Sequence, residues 1–375
     1  MLGSCFRSLE RCFGRPGGGD GLMWDVGLEP HGAGEFSVAV VQANSSLEDQ
    51  GQVLASPSAT FVGVFDGHGG PEAARFVSDR LLPYVDRFAS EHGGVSAEVI
   101  KKAFRATEED FMQLVRRSLP ALPQMAAVGS CCLVGVIAGD VVYVANLGDS
   151  RAVLGRRSLG NNKSVVAERL STDHNVAVEE VRREVRELHP DDDQIVVHAR
   201  GAWRIKGIIQ VSRSIGDIYL KKPDFSEDPM FQQVVSPLAL KRPVITAEPS
   251  IKVRKLKPQD KFLIFASDGL WEQLSDEAAA EIVFKNPRAG IAKRLVKAAL
   301  CEAARKREMQ YDDIRQIGKG VRRHFHDDIT VIVIYLDHLH QPGHSKFSGS
   351  STHNCTKVPV DIFSLHSGEL EKPLR

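Results

Sequence analysis

The chain has 375 residues, 42% hydrophobic and 26% charged, with 48 basic side chains against 48 acidic ones. That length holds one large domain or two medium ones, the composition is ordinary globular material, and the neutral balance excludes a strong field steering the chain to nucleic acid. No apolar run reaches membrane-spanning length, and Arg7 and Arg11 interrupt the one N-terminal apolar cluster, so neither a transmembrane segment nor a secretory signal is read.

Residues 1–33 are glycine-rich and irregular, with the run Pro16-Gly17-Gly18-Gly19, and are expected to be a flexible extension. Within them Leu2, Cys5, Phe6, Leu9, Cys12 and Phe13 fall on one face of a short helix flanked by arginines. That pattern fits a peripheral, membrane-surface or acylated anchor at the plasma membrane, but the reading it favours is a disordered tail that binds nothing. A folded domain is expected over 34–337, and the polar stretch 338–375 is expected to be a disordered tail.

The first predicted strand is Glu35 to Gln42, followed by a segment containing Glu48 and Asp49. The apolar run from Phe61 to Phe65 predicts a buried strand, which stops at Asp66 and the turn Gly67-His68-Gly69-Gly70. An Asp at the end of a buried strand is held by the core while its carboxylate faces out, a good mount for a hard cation. The glycines let backbone come close, so the Gly67 carbonyl is a second candidate ligand, and His68 is placed as a proton donor. The plainer alternative is a strand followed by a turn that Asp66 helps to form.

Helical spacing of apolar residues predicts a helix after Pro71 and a second over about 98–119. Gly129 to Ala138 and Val141 to Asn146 have the spacing of an antiparallel hairpin, and the second of them leads into Asp149. A charged helix is expected over 178–188, strands over 204–211 and 244–253, and a surface excursion over 221–238. Phe262 to Ala266 is a strongly apolar strand ending in Ser267-Asp268-Gly269, and Ser275 is an N-cap candidate for the helix that follows. A further helix is expected over 290–306, and His326-Asp327-Asp328 precedes a last buried strand, Ile329 to Tyr335.

Asp66, Asp149, Asp268 and Asp327 thus each abut an apolar run. Four carboxylates converging at one edge need compensation, which divalent cations supply. The other arrangement puts them on different faces, each capping its own turn.

The ordered motifs LEDQ at Glu48, VFDGHGG at Asp66, ANLGDSRAVL at Asp149, LSTDHN at Ser171, VSRSIGD at Arg213, FASDGLWEQLS at Asp268 and HDDITVIVI at Asp327 resemble the metal-dependent type 2C serine/threonine protein phosphatases, most closely the plant clade D members. The resemblance implies an α+β fold, a central β-sandwich of two antiparallel sheets flanked by helices in four layers. It implies two Mg²⁺ or Mn²⁺ ions and a weaker third. Asp66 would bridge the two, Gly67 would give its carbonyl, and Asp268 and Asp327 would complete a shell. Glu48 and Asp49 would act through water, Asp149 with Asp268 would serve the third ion, and His68 would protonate the leaving seryl or threonyl oxygen.

One departure stands out. Many family members carry an arginine that binds substrate phosphate four residues before the Glu matching Glu48, and here that position is Asn44. The six cysteines (Cys5, Cys12, Cys131, Cys132, Cys301, Cys355) form no C-x-x-C pair and none sits in a phosphate-cradling loop. A zinc site, a disulfide framework and a cysteine-nucleophile phosphatase are therefore not expected, and an intracellular setting, cytoplasm or nucleus, is. The resemblance further implies a monomer acting on phosphoproteins. Among them would be the plasma-membrane proton pump, and small auxin-induced proteins would act as inhibitors.

Overall fold

The computed structural model describes residues 21–56, 58–158, 164–226, 242–337 and 354–362. In chain order the strands are β1 (Met23–His31), β2 (Gly34–Val41), β3 (Gln50–Ala55), β4 (Ala59–His68), β5 (Gly129–Ala138), β6 (Val141–Leu147), β7 (Arg151–Arg157) and β8 (Val165–Arg169). They continue with β9 (Val196–Ala199), β10 (Ala202–Ile205), β11 (Ile215–Gly216), β12 (Ser250–Lys255), β13 (Asp260–Ala266), β14 (Ile329–Tyr335) and β15 (Asn354–Lys357). The helices are α1 (Glu72–Glu91), α2 (Ala97–Ser118), α3 (Glu179–Leu188), α4 (Pro223–Ser226), α5 (Asp268–Trp271), α6 (Asp276–Lys285), α7 (Ile291–Arg305) and α8 (Tyr311–Gln316).

One sheet has the order β1-β2-β14-β13-β7-β8 and the other β12-β6-β5-β4-β3-β15, with β11 added to β5. Every pairing between these strands is antiparallel. The central strands read as unbroken apolar runs because both of their faces are buried. Alternate residues separate those faces. Val62 and Val64 of β4 pack with Leu263 and Phe265 of β13 in the core between the sheets. Phe61 and Phe65 of β4 pack outward under α1 and α2, against Val77, Leu81 and Phe104. Ile264 and Ala266 of β13 pack the other way, under Leu295, Val296 and Ala299 of α7. Three cores between four layers make the αββα sandwich that the resemblance implied. Gly135 is needed in it, because a β-carbon there would collide with the Phe265 ring.

α2 starts where Ser96 accepts a hydrogen bond from the Val99 N–H, and Ser275 caps α6 by accepting from the Ala278 N–H, the one cap of the two that the sequence predicted. Four expectations are corrected. Met23 to His31, placed in the flexible extension, forms β1 at a sheet edge. A register shift between Val26 and Glu29, together with Pro30, hides its alternation. Asn354–Lys357, placed in the disordered tail, forms β15 beside β3, and Val358 and Ile362 are buried in the inter-sheet core. The strand expected over 204–211 is broken by a turn at Lys206 (φ 52°) and Gly207 (φ 70°), and β10 instead pairs with β9. The strand expected over 244–253 begins only at Ser250, after Pro249. The candidate anchor at Leu2 to Phe13, and most of the excursion over 221–238, lie outside the described residues.

Candidate metal centre

β4 does not stop at Asp66 but runs on to His68, pairing with β5 as far as Gly129. Asp66 therefore shares the alternation of Val62 and Val64 and belongs to the face between the sheets, at the end where that core opens. Asp149 follows β6 after Gly148, whose φ of 96° turns the chain. Asp268 is the first residue of α5, directly after β13, and Asp327 lies two residues before β14. Strands from both sheets thus deliver acids to one end of the sandwich.

Carboxylate oxygens of Asp66, Asp149 and Asp268 lie within 4.8 Å of one another. The Asp268 backbone N–H also approaches Asp66 Oδ2 at 3.4 Å. Asp149 is aimed by two donors, Cys131 Sγ at 3.3 Å to Oδ1 and Asn175 Nδ2 at 2.6 Å to Oδ2. Asp268 Oδ1 is buried and has no hydrogen-bond partner among the described residues. An orphaned anionic oxygen on a side chain that meets two further carboxylates is costly unless a cation completes it. An all-oxygen donor set suits Mg²⁺ or Mn²⁺ and does not suit a thiophilic metal.

Glu48, Asp49 and Asp327 stand outside that tight group but within its field. Asp49 is buried and accepts a 2.8 Å hydrogen bond from the hydroxyl of Ser267, the residue before Asp268. Asp327 Oδ1 accepts from the Asn44 side-chain amide at 3.3 Å and from the Asp328 N–H at 2.8 Å, while Oδ2 pairs with Arg323 at 2.7 Å. A β-carbon on Gly67 would run into the Glu48 carbonyl, so only glycine lets these two segments touch.

The electrostatics carry the mark of crowded acids. Burial, then the charges of Asp268, Asp49 and Asp327, hold the Asp66 carboxyl well above the usual range. Burial, then Asp149 and Asp327, do the same to Asp268. Asp49 is raised by burial and by Asp328. Burial with Asp328 and Asp327 lifts Glu48 to about 7, and burial lifts Asp327 to about 6 against the opposing charge of Arg323.

Four residues that take part here were missed in the sequence. Asp217 Oδ2 lies 2.8 Å from His68 Nε2 and accepts the Ser214 hydroxyl at 2.6 Å. Burial disfavours protonation of His68, but the charge and hydrogen bond of Asp217 outweigh it and raise its pKa. Asp328 accepts the backbone N–H groups of Ala43 at 2.6 Å, Asn44 at 3.0 Å and Glu48 at 2.8 Å, and so ties down the loop that carries Glu48. Glu272, one turn after Asp268, has its pKa raised by burial and by Asp149 against the charge of Arg323. Arg323 is the fourth. Asp217 ends the SRSIGD motif and Asp328 stands beside Asp327, so motif and neighbour were the available signals.

A sandwich of this topology with an acidic pit at one end fits a metal-dependent hydrolase, and Asp217 holds His68 near the pit. The sequence pattern of the family described as "Protein phosphatase 2C" matches residues 33–310, and the chain belongs to that family of serine/threonine protein phosphatases. It is 65% identical over 378 aligned positions to "Probable protein phosphatase 2C 63" of Arabidopsis thaliana, covering 99% of this chain and 98% of the relative. It is 64% identical to "Probable protein phosphatase 2C 78" of Oryza sativa subsp. japonica, covering 98% and 96%. The crystal structure of serine-threonine phosphatase 2C from Toxoplasma gondii has the same fold, with a TM-score of 0.57 at 19% identity, covering 84% of this chain and 99% of that one.

Proposed function

We propose that the pit holds two Mg²⁺ or Mn²⁺ ions. Asp66 would be shared between them, Gly67 would offer its carbonyl, Asp268 and Asp327 would be further ligands, and Glu48 and Asp49 would act through water. Asp149 and Asp268, with Glu272 nearby, would serve a weaker third ion. When bound, such ions activate a water and offset charge on the phosphoryl oxygens. The single observation that carries this reading is the meeting of Asp66, Asp149 and Asp268, the last with a buried oxygen that has no hydrogen-bond partner among the described residues.

The chain's own residues supply the rest. His68, whose pKa Asp217 raises, gives its proton to the seryl or threonyl oxygen as it leaves. Ser214 adds a second hydrogen bond to the same Asp217 oxygen, so that carboxylate has little freedom to turn away. Asp328 keeps the Glu48 loop fixed while substrate enters. Release of phosphate from phosphoserine and phosphothreonine peptides, dependent on added Mn²⁺ or Mg²⁺ and lost in EDTA, tests this reading. Metal-independent release, or none, would contradict it.

The substrates are phosphoproteins. For their identity we carry over from the resemblance the phosphothreonine at the C-terminus of the plasma-membrane proton pump, inhibition by small auxin-induced proteins, and a monomeric chain acting inside the cell. A peptide of that phosphorylated terminus, assayed with and without such an inhibitor protein, tests the first two together.

A further inference from the structure

We propose that Arg323 is the cation that grips the substrate's phosphoryl group, entering the site from the opposite side of Asp327 to the position held by Asn44. The proposal rests on the phosphatase reading above and adds a residue to it.

An acidic pit repels a phosphate dianion until positive charge offsets it, and a guanidinium matches two phosphate oxygens at once. Asn44 is neutral, so it gives only a hydrogen bond, and that bond goes to Asp327 Oδ1. Arg323 addresses the other oxygen of the same carboxylate, Oδ2, at 2.7 Å. Its side chain is 51% exposed while that of Asp327 is 18% exposed, so Arg323 forms the solvent-facing lip above the ligand. Its charge also lowers the pKa of Glu48 and of Glu272, so both acids lie within its field.

The position is fixed by its neighbours. The turn that carries Arg323 is tied to the segment that carries Asn44 by two hydrogen bonds, Gly320 N–H to the Ala43 carbonyl at 2.7 Å and Arg322 Nη1 to the Gln42 carbonyl at 2.8 Å. Two other arginines, Arg322 and Arg151, are committed elsewhere. Arg322 is 2% exposed and bound to carbonyls, and Arg151 is clamped between Asp173 at 2.6 Å and Asp276 at 2.7 Å. Among the described residues Arg323 pairs with no carboxylate besides Asp327. A carboxylate whose charge is shared with a divalent cation holds an arginine less firmly, which leaves the guanidinium able to turn to a phosphoryl group.

The alternative is that Arg323 only orients Asp327. The test measures binding of inorganic phosphate to the Mn²⁺-loaded chain by calorimetry, the Mn²⁺ affinity of the chain without phosphate, and KM and kcat on a phosphothreonine peptide. Arg323→Ala is expected to weaken phosphate binding and raise KM about tenfold, the worth of roughly one charge-assisted bidentate contact, with Mn²⁺ affinity held within about twofold. Arg323→Lys should recover part of the loss, and adding Asn44→Arg to Arg323→Ala should recover more, because it returns a guanidinium to the same carboxylate. Unchanged phosphate affinity in Arg323→Ala, or a loss of Mn²⁺ affinity that accounts for the whole effect, would overturn the proposal. Either result leaves the phosphatase reading standing if the unaltered chain hydrolyses the peptide. Failure of that hydrolysis removes the phosphatase reading and with it the substrate role of Arg323, a result told apart from loss of phosphate binding because that binding is measured without turnover.

Discussion

His68 Nε2 and Asp217 Oδ2 lie 2.8 Å apart across 149 residues of chain, and the β5 residue beneath them must be Gly129, because a β-carbon there would strike both groups. The pair orients the imidazole and raises its pKa, while β4 carries the same residue two positions from Asp66. His68 is thus set beside the acids by two different interactions.

Removing that support should be visible in the chemistry. Asp217→Asn is expected to lower kcat on a phosphoserine peptide by about 10²-fold, the lower end of what a positioned acid contributes. p-Nitrophenyl phosphate, whose leaving group needs no proton, should lose far less. In the metal-free chain the His68 pKa, followed by NMR, should fall in the variant, and the alkaline limb of kcat should move to lower pH. An equal loss on both substrates would mean that Asp217 supports structure alone.

Metal affinity should depend on pH in a defined direction. Asp66 and Asp268 are held well above the usual range, Glu48 stands at about 7 and Asp327 at about 6. Below those values the ligands carry protons that must leave when a cation binds. Mn²⁺ affinity should therefore rise from pH 5.5 to 7.5, with proton release in calorimetry run in buffers of different ionisation enthalpy. Constant affinity across that window would contradict the placement of these acids.

The same shifts set the stability of the metal-free chain. In the unfolded chain these carboxyls titrate near pH 4, so between about pH 4 and 7 the folded form binds more protons. Stability should fall as pH rises through that window. Asp268→Asn removes one repelling charge and should raise the metal-free melting temperature at pH 7.5 by about 2 °C or more, while reducing the gain on adding Mn²⁺. A lower melting temperature in the variant would show that the charges are not in conflict.

Asp328 should matter for stability as much as for catalysis. Asp328→Ala would strand three backbone N–H groups, those of Ala43, Asn44 and Glu48, and is expected to cost at least about 3 kcal/mol in denaturant unfolding. Asp328→Asn keeps one accepting oxygen and should fall between. A cost under about 1 kcal/mol for the alanine variant would mean that water replaces the carboxylate without penalty.

These residues show what the sequence made legible. Asp66, Asp149 and Asp268 could be found because each closes an apolar run, and a buried strand leaves its terminal acid few places to go. The sandwich was implied by the resemblance that the ordered motifs carry, and the strands apolar on both faces fit it. What escaped notice depends on contacts far apart in sequence. Asp328 bonds groups 280 to 285 residues away, and its neighbour Asp327 looked like the only member of the pair with a task. Asp217 adopts a left-handed backbone, φ 47°, at the end of a two-residue strand, where no periodicity exists to read. β1 was hidden by its bulge and its proline, and β15 by the polar stretch before it.

The central claim is that Asp66 and Asp268, from different sheets, share divalent cations that make hydrolysis happen. Mn²⁺ binding by calorimetry and electron paramagnetic resonance, with phosphopeptide turnover on the same samples, tests it most directly. The account predicts two Mn²⁺ per chain that are magnetically coupled, with both coupling and turnover lost in Asp66→Asn. Two uncoupled ions, or turnover that survives Asp66→Asn, would contradict it.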